Sequence, residues 1–270
     1  MPPFVQLSLG MALGASFSFL AWRAGALSPS GGWAAAIIGG LIFGFGGWSW
    51  AALLLAFFIS SSALSRLFAH QKTSVSEKFA KGSRRDWGQV AANGNLGALL
   101  AILHSIYPDQ SWIWIAFIGA MAAVNADTWA TELGVLNTAR PRLLTTGKPV
   151  DPGTSGGVTA LGYLAVAAGS GLIAVLAAAV EPTANPWLMG FSILVAGAAG
   201  STIDSLLGAT RQAIYFCPAC RKETERHPRH GCGTVTLWQR GWRWLNNDWV
   251  NFFCALAGAG TACLLWLLGS

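Results

Sequence analysis

Long apolar windows constrain this chain more than any other feature of its sequence. A helix needs about 20 mostly apolar residues to cross a bilayer, and eight windows near that length recur along the 270 residues. Their approximate bounds are 4–22, 33–47, 48–65, 88–107, 112–130, 156–180, 187–209 and 249–268. Because a backbone in lipid must satisfy its own hydrogen bonds, such windows predict helices. We therefore expect an all-α, polytopic integral membrane helix bundle of about eight transmembrane helices.

The composition excludes an ordinary soluble domain. Apolar residues make up 53% of the chain and charged residues 10%, whereas soluble domains usually carry about 25% charged residues. The first window lacks the basic leader and small-residue cleavage site of a secretory signal, so we expect it to remain as a helix. Only Gly46-Gly47 separates the second window from the third. We predict a single membrane domain over residues 1–270, with a loop at 211–248 inserted before the last helix.

Basic residues are distributed asymmetrically between the loops. If the N-terminus is outside and the helices number eight, all 17 Lys and Arg fall on one face of the membrane, and the loops at 108–111 and 181–186 contain none. The positive-inside rule then predicts that the basic loops of this multi-pass protein are cytoplasmic. The net charge of +6 describes a surface that attracts anions and faces membrane lipids. We expect no nucleic-acid partner, since no soluble basic domain is present to bind one, and an oligomer stays compatible with the sequence.

Two aspartates lie inside apolar windows. Asp127 belongs to ADTWATELG at the end of the fifth window, and Asp204 to GSTIDSLLGA in the seventh. A charged side chain at the centre of a membrane helix costs on the order of 3 kcal/mol, so such residues are functional candidates by default. Mg²⁺ takes carboxylate oxygens together with substrate phosphates. We predict that Asp127 and Asp204 share one catalytic Mg²⁺ site, with Asn125 as a candidate binding residue beside it.

A further carboxylate follows Asp127 closely. Thr131 lies on the same helical face as Asp127, but Glu132 points about 140° away on a regular helix. Both acids therefore meet one ion only if the helix unwinds near Thr131, or else they serve different partners. Glu132 is a candidate catalytic residue and Thr131 a candidate binding residue. The alternative for Glu132 is an interfacial carboxylate paired with Arg140 or Arg142.

The fourth window begins with a stripe of polar side chains. Asp86, Gln89 and Asn93 share one helical face, because residues three and four positions apart are neighbours on a helix. Arg84 and Arg85 come directly before it. Arginines at such a place can simply extend toward the membrane surface as anchors. An anchor does not explain Asn93, about two turns deep, so we predict that all five residues contact a substrate, with the arginines on a phosphate.

A glycine-rich segment, PRLLTTGKPVDPGTSGG, connects the fifth and sixth windows. Glycines before a helix N-terminus let backbone N–H groups approach an anion, which the helix dipole also favours. The order is not that of a Walker A motif, because Gly-Lys-Thr is absent. The alternative is a flexible turn that Thr154 or Ser155 caps. We predict a phosphate-binding loop formed by Arg142, Thr146, the catalytic candidate Lys148, Gly153, Thr154, Ser155, Gly156 and Gly157.

More polar residues lie near Asp204 and at the start of the last window. Ser201 and Asp204 share a helical face by the three-residue step, and Ser205 follows. The structural alternative is a helix-to-helix hydrogen bond from Asp204 to Asn93 or Asn125. The polar residues before and within the last helix exceed what an interfacial tryptophan and arginine belt needs. The candidates there are Asn247, Asp248 and Asn251.

The loop before the last window carries a pattern of metal-binding residues. The sequence places Cys217 and Cys220 in a Cys-x2-Cys pair, followed by His227, His230 and Cys232. Structural disulfides are disfavoured in a cytoplasmic loop. Three thiolates and one imidazole complete a tetrahedral, closed Zn²⁺ site. We predict such a structural site with His230 as the nitrogen ligand, His227 as its alternative and free thiols as the other possibility.

These motifs together resemble a known membrane family. They are RRDWGQVAANG, ADTWATELG, PRLLTTGKPVDPGTSGGVT, GSTIDSLLGA, CPAC, HGCG and WLNNDWVN, spread over roughly residues 30–260. The family was first described only as a domain of unknown function, and its plant members are phytyl-phosphate kinases of the vitamin E pathway. The order of parts is also distantly similar to CTP-dependent polyprenol kinases and phosphatidate cytidylyltransferases.

The distant likeness implies roles for particular residues. In those enzymes two such acids hold Mg²⁺ and the loop holds the cytidine nucleotide, which implies metal acids at Asp127 and Asp204 and a phosphate loop at Lys148 and residues 153–157. The cytidylyltransferase pattern reads Lys-Thr-x-Glu-Gly where this chain reads Gly-Thr-Ser-Gly-Gly. This departure leaves the choice of nucleotide open.

The sequence thus predicts a phosphotransferase that works at the cytoplasmic face. It would use Mg²⁺ to move a phosphoryl group from CTP, or another nucleoside triphosphate, to a membrane isoprenyl monophosphate such as phytyl phosphate. Phosphoryl transfer needs mainly alignment and charge neutralisation, which the predicted acids and loop supply. The alternatives are a cytidylyltransferase that forms a CDP-lipid and a transporter for a polar solute.

Overall fold

The computed structural model describes residues 3–69, 78 and 84–269. Eight α-helices run through this part of the chain, as the apolar windows predict. The predicted all-helical membrane bundle is therefore confirmed. The helices are α1 (Pro3–Arg23), α2 (Pro29–Gly46), α3 (Trp48–Leu67), α4 (Trp87–Ile106), α5 (Ser111–Gly134), α6 (Ala160–Val180), α7 (Pro186–Thr210) and α8 (Asn247–Gly269).

Seven of the helices in the described ranges are long and apolar enough to cross a membrane. The eighth, α4, has 20 residues but does not reach that hydropathy. Its polar side chains are the reason, since Gln89, Asn93 and Asn95 occupy its first half. The predicted break between α2 and α3 is present, because Gly47 takes a φ of 78° and ends α2. Glycine adopts a positive φ without the steric strain that a Cβ atom would cause.

Helix α5 forms the centre of the bundle. Its residues from Ile113 to Ala126 are all buried, and its neighbours are α3, α4, α6, α7 and α8. Close packing depends on small residues: a Cβ added at Gly119 would lie 2.6 Å from the carbonyl oxygen of Gly258 in α8. Glycine at such a crossing lets two helix backbones approach each other. The C-terminal half of α5, which carries its polar residues, therefore lies inside the bundle rather than at its edge.

One end of the bundle collects the loops that carry the basic residues. These are the connections from α1 to α2, α3 to α4, α5 to α6 and α7 to α8. The Arg85 N–H donates to the carbonyl of Ala26 at 3.0 Å, and the Lys78 ammonium donates to the carbonyl of Pro152 at 2.9 Å. Much of the basic segment at 66–85 lies outside the described residues.

Two small sheets form within the loops of this basic end. In the loop after α5, β1 (Arg142–Leu143) pairs antiparallel with β2 (Gly157–Val158). In the loop after α7, β3 (Ile214–Cys217) lies between β4 (Lys222–Thr224) and β5 (Leu237–Arg240). The windows predicted helices and loops only, because strands this short leave no periodic pattern. The sheets give both loops a definite shape over the end of the bundle.

Candidate active site

A polar cavity of about 430 Å³ opens at the basic end, between α4, α5, α6, α7, α8 and the two structured loops. Most residues that the sequence singled out contribute to its wall. These are Arg85, Gln89, Asn93, Asp127, Thr131, Glu132, Gly153, Thr154, Ser155, Gly156, Gly157, Ser201, Asp204, Ser205, Asn247 and Asn251. Segments separated by more than 100 residues in sequence therefore meet around one space.

Asp127 of α5 and Asp204 of α7 face each other in this cavity. Their carboxylate oxygens and the Cys254 sulfur of α8 all lie within 4.8 Å of one another. Ser201 donates its hydroxyl to Asp127 Oδ1 at 3.1 Å. Asp204 Oδ2 is buried and has no hydrogen-bond partner among the described residues. Two close carboxylates repel unless a cation or proton lies between them, and a divalent cation that prefers oxygen fits this donor set.

The close approach of α5, α7 and α8 brings the acids together. A Cβ added at Gly200, one turn before Asp204, would lie 2.8 Å from the carbonyl oxygen of Cys254. On the other side of the contact lies Ala123, one turn before Asp127. Small residues above the two aspartates thus let the three backbones converge. The sequence showed these glycines but not which helices they join.

Glu132 serves a different partner from Asp127. Helix α5 continues without interruption to Gly134, so the two acids stay on different faces. Glu132 Oε1 accepts a hydrogen bond of 2.8 Å from the Ser65 hydroxyl of α3. Of the two open alternatives for these acids, the structure shows separate partners rather than an unwound helix.

Arg85, which precedes α4, also lies in the cavity wall. Its Nη2 donates to the Ser61 hydroxyl at 2.8 Å, and its guanidinium lies 5.1 Å and 5.3 Å from the ring centres of Phe57 and Phe58. Its Nη1 is buried without a hydrogen-bond partner in the described part of the chain. Burial lowers the pKa of Arg85 to about 10, and the nearby charge of Glu132 acts in the opposite direction. The guanidinium therefore stays charged at neutral pH and can hold an anion.

The glycine-rich segment is fastened over the cavity by contacts at its second half. Gly156 has a φ of 82°, and its N–H lies 2.9 Å from where a Cβ on Gly208 would be. Ser155 donates its hydroxyl to Glu225 Oε1 at 2.7 Å, and Gln212 Nε2 donates to the same oxygen at 2.8 Å. The loop is therefore held against the end of α7 and against the second loop.

The first half of the same segment turns away from the cavity. Lys148, Arg142 and Thr146 do not line it, contrary to the predicted phosphate contacts. The chain reverses at Gly147, whose φ is 67°. The Leu143 N–H donates to the Lys148 carbonyl at 2.9 Å, and Arg142 Nη1 donates to the Gly147 carbonyl at 2.9 Å. This exposed turn separates Lys148 from the paired aspartates, because it projects residues 144–148 outward.

Four other predicted contacts also lie outside the cavity wall. Asp86 caps α4, accepting from the Gln89 N–H at 3.0 Å. Arg84 is exposed and donates to the Leu27 carbonyl at 3.4 Å. Asp248 belongs to the first turn of α8 without reaching the lining. Asn125 is fully buried beneath the cavity. The structure thus places these four side chains in or beside the helix framework, outside the cavity lining.

Asn125 joins three helices by hydrogen bonds. Its Nδ2 donates to the Gly169 carbonyl of α6 at 2.8 Å, and its Oδ1 accepts from the Ser60 hydroxyl of α3 at 3.0 Å. Trp129 Nε1 also donates to Ser60 Oγ at 3.2 Å. Since both ends of the amide are occupied, Asn125 does not bond Asp204, and its hydrogen bonds join α3, α5 and α6.

We expect Asn125→Leu to lower the free energy of unfolding by about 1–2 kcal/mol, because it leaves buried partners without hydrogen bonds. Denaturant titration of the protein in detergent, followed by circular dichroism, measures this change. Asn95→Leu is the matched control, since Asn95 is exposed on α4. Equal stability of both variants would contradict the structural role.

Several residues at the site were not predicted from the sequence. Ser65, Gln212, Glu225 and Arg226 all contribute to the wall, and Cys254 lies beside the aspartates. The serine-rich end of α3, SSSALSR, was a usable signal for Ser65. The others required knowledge of how the loop after α7 folds back.

The Cys/His loop gathers a second group of possible metal ligands. The donor atoms of Cys217, Cys220, His230 and Cys232 all lie within 4.8 Å of one another. His230 Nδ1 is 3.3 Å from Cys232 Sγ and 3.5 Å from Cys220 Sγ. His227 instead stacks on the ring of Tyr215, with ring centres 4.4 Å apart. Three sulfurs and one nitrogen are a donor set that could hold a metal ion, and His230 rather than His227 belongs to it.

Comparisons with known proteins match most of the chain to a family of membrane proteins. The profile of the family described as integral membrane protein DUF92 matches residues 12–259. Protein PGR of Arabidopsis thaliana is 34% identical over 94% of both chains. An uncharacterised membrane protein of Methanocaldococcus jannaschii is 35% identical over 64% of this chain and 69% of its own length. An uncharacterised membrane protein of Synechocystis is 29% identical over 87% of this chain and 81% of its own length. No solved structure is significantly similar.

Proposed function

The chain belongs to the DUF92 family of integral membrane proteins, and from this membership and the site geometry we propose that it is a lipid phosphate kinase. It would transfer the γ-phosphoryl group of CTP, or of another nucleoside triphosphate, to an isoprenyl monophosphate such as phytyl phosphate. The single observation that carries the proposal is the meeting of Asp127 and Asp204 in a polar cavity beneath a glycine-rich loop.

The reaction needs alignment more than covalent chemistry. An oxygen of the acceptor phosphate attacks the γ-phosphorus of the donor, the bond from that phosphorus to the β–γ bridging oxygen breaks, and the nucleoside diphosphate leaves. Mg²⁺ bound by Asp127 and Asp204 would neutralise charge on the transferred group. The acceptor itself supplies the nucleophile, so the chain needs none of its own.

The cavity wall offers separate groups for the two substrates. The backbone N–H groups of residues 153–157 are suited to the donor phosphates, since glycines there let an anion approach closely. Arg85, whose buried Nη1 has no hydrogen-bond partner within the described residues, is suited to the acceptor phosphate. Arg226 lines the cavity from the second loop, whereas Lys148 does not line it, and we propose that Arg226 supplies the positive charge near the donor.

The orientation and the second metal are part of the same proposal. We propose that the basic end faces the cytoplasm, because the Lys and Arg residues are confined to its loops and to the helix ends beside them, as the positive-inside rule requires. The cytoplasm also contains the nucleoside triphosphates. We also propose that Cys217, Cys220, His230 and Cys232 hold a structural Zn²⁺. The closed donor set leaves no coordination position for a substrate.

A product assay with purified protein tests the proposed reaction. With CTP labelled at the γ-phosphate and phytyl, geranylgeranyl or farnesyl monophosphate in mixed micelles, we expect the label in the lipid diphosphate. Label in pyrophosphate would identify a cytidylyltransferase that uses the same donor. If no lipid acceptor and no nucleotide gave transfer, the proposal would be wrong, and uptake of a polar solute into vesicles would be the next measurement.

A further inference from the structure

A second cavity, almost entirely apolar, lies between α1, α2, α3 and α4. Its volume is about 240 Å³, and aliphatic and aromatic side chains form nearly all of its wall. Three polar residues interrupt the wall, namely Arg85, Gln89 and Asn93. Apart from these polar residues, the reaction proposed above uses nothing in the wall of this cavity. A cavity with such a wall is suited to a hydrocarbon chain.

The three polar residues belong to both cavities. Arg85, Gln89 and Asn93 also line the polar cavity that contains the paired aspartates. They therefore form a shared wall, with charge and amides on one side and hydrocarbon on the other. A molecule that is a phosphate at one end and a hydrocarbon at the other matches this division.

We propose that the apolar cavity holds the hydrocarbon tail of a single-chain isoprenyl phosphate whose phosphate lies against Arg85 in the polar cavity. This inference rests on the proposed function and specifies where its lipid substrate binds. Charge complementarity supports the occupant, because Arg85 presents a buried Nη1 that lacks a hydrogen-bond partner among the described residues. An acyl chain without a phosphate would leave that donor unsatisfied, at a cost typical of buried polar groups.

The shape of the cavity indicates a linear tail. Its wall on α2 runs from Ala35 to Phe43, which is about 12 Å at 1.5 Å per residue. Beyond Phe43 the wall includes Trp48, and the two rings meet edge to face at 4.6 Å. The cavity is therefore elongated along α2, as a linear hydrocarbon tail requires.

The cavity also has a side that faces the bilayer. Leu13 of α1 belongs to its wall and is 38% exposed on the outer surface of the bundle. Phe17 of α1 contacts Phe58 of α3 edge to face, with ring centres 5.4 Å apart. The Phe17–Phe58 contact bridges the seam between α1 and α3, and a lipid tail that enters from the membrane would pass between these two rings.

Photocrosslinking locates the tail directly. The probe is geranylgeranyl monophosphate with a diazirine at the end of its tail, added to the full-length protein in lipid nanodiscs. We expect crosslinked peptides from α2 and α3, around Phe43, Trp48 and Leu54. Crosslinks confined to the outer faces of α6, α7 or α8 would overturn the inference, whether or not the protein transfers phosphate.

A cavity-filling variant gives a second, independent measurement. A Cβ added at Gly39 lies 3.9 Å from Leu54, so Gly39→Phe extends into the cavity without a backbone clash. We expect its affinity for geranylgeranyl monophosphate to fall about tenfold or more, the effect of losing contact with two or more methylene groups. Affinity for the shorter geranyl monophosphate should change less. The control is Gly260→Phe, because Gly260 lies on the exposed side of α8 with nothing within 4 Å.

The two proposals fail in different ways. Binding and crosslinking at α2 and α3 without any transfer of label would retain the tail site and reject the kinase. Transfer of label with unchanged affinity in Gly39→Phe would retain the kinase and reject the tail site. Arg85→Lys keeps the charge but not the forked donor, so the preference for the monophosphate over geranylgeraniol should fall in that variant if Arg85 holds the phosphate.

Discussion

Asp204→Asn is expected to lower the rate of phosphoryl transfer by about 1,000-fold, the size of effect seen when one charged or polar group at a reacting centre is lost. The substitution keeps the shape of the side chain but removes half of the charge that Asp127 and Asp204 present together. Without that charge Mg²⁺ binds weakly, and the transferred group loses its neutralisation. Initial rates with labelled CTP and phytyl phosphate measure the change.

Thermal unfolding of the same variant separates function from folding. In the absence of Mg²⁺, two close carboxylates destabilise each other, so Asp204→Asn should melt at the same temperature as the natural protein or higher. Adding Mg²⁺ should raise the melting temperature of the natural protein only, because ligand binding stabilises the folded state by mass action. Asp109→Asn, in the exposed loop at the opposite end, is the matched control and should leave rate and melting unchanged. Full activity of Asp204→Asn would remove the paired aspartates from the mechanism.

Cys217→Ser is expected to abolish metal binding in the loop after α7 and with it most of the activity. A structural Zn²⁺ site contributes on the order of 10 kcal/mol of folding free energy, and Cys217 is a fully buried member of the group. The loop also places Glu225, which binds both Ser155 and Gln212. Unfolding the loop should therefore release the glycine-rich segment from the cavity. Metal analysis should find about one zinc per natural chain and almost none in the variant.

A cysteine outside the cluster provides the comparison for this prediction. Cys263 in α8 donates to the Trp112 carbonyl at 3.3 Å, a bond that serine can also make. Cys263→Ser should retain zinc and activity. If Cys217→Ser kept its zinc content, or if the natural protein contained none, the cluster would have another purpose.

The helix pattern was readable because membrane burial leaves a strong signal in sequence. Windows and helices agree to within four residues in every case, for example 88–107 against Trp87–Ile106. Of the three four-residue differences, one is the end of α5 at Gly134 and the other two occur where a side-chain cap decides the start of the helix. Helix α2 begins at Pro29, four residues before the window, since Ser28 caps it, and α6 begins four residues after its window starts because Thr159 caps it. Local hydrogen bonds, rather than hydropathy, set these ends.

The residues of the site were only partly readable. Placing a carboxylate in an apolar helix costs free energy, so Asp127 and Asp204 were identifiable from the sequence as functional candidates. Lys148 was a different case, because a positive charge in a glycine-rich segment looks the same whether the loop folds inward or outward. The turn at Gly147 directs it outward. Asn125 was also ambiguous, since an amide in an apolar helix can bind a substrate or join helices.

From the sequence alone came the membrane class, the number of helices, the confinement of basic residues to one set of loops and the identity of unusual buried acids. These follow from solvent chemistry, since each apolar window and each charge has a transfer cost that does not depend on its neighbours. Only the tertiary structure decided that Asp127 and Asp204 meet, that Glu132 faces Ser65 and that Arg85 lies between a polar and an apolar cavity. Those outcomes depend on contacts between distant segments, where a small residue such as Gly200 sets how closely two helices approach.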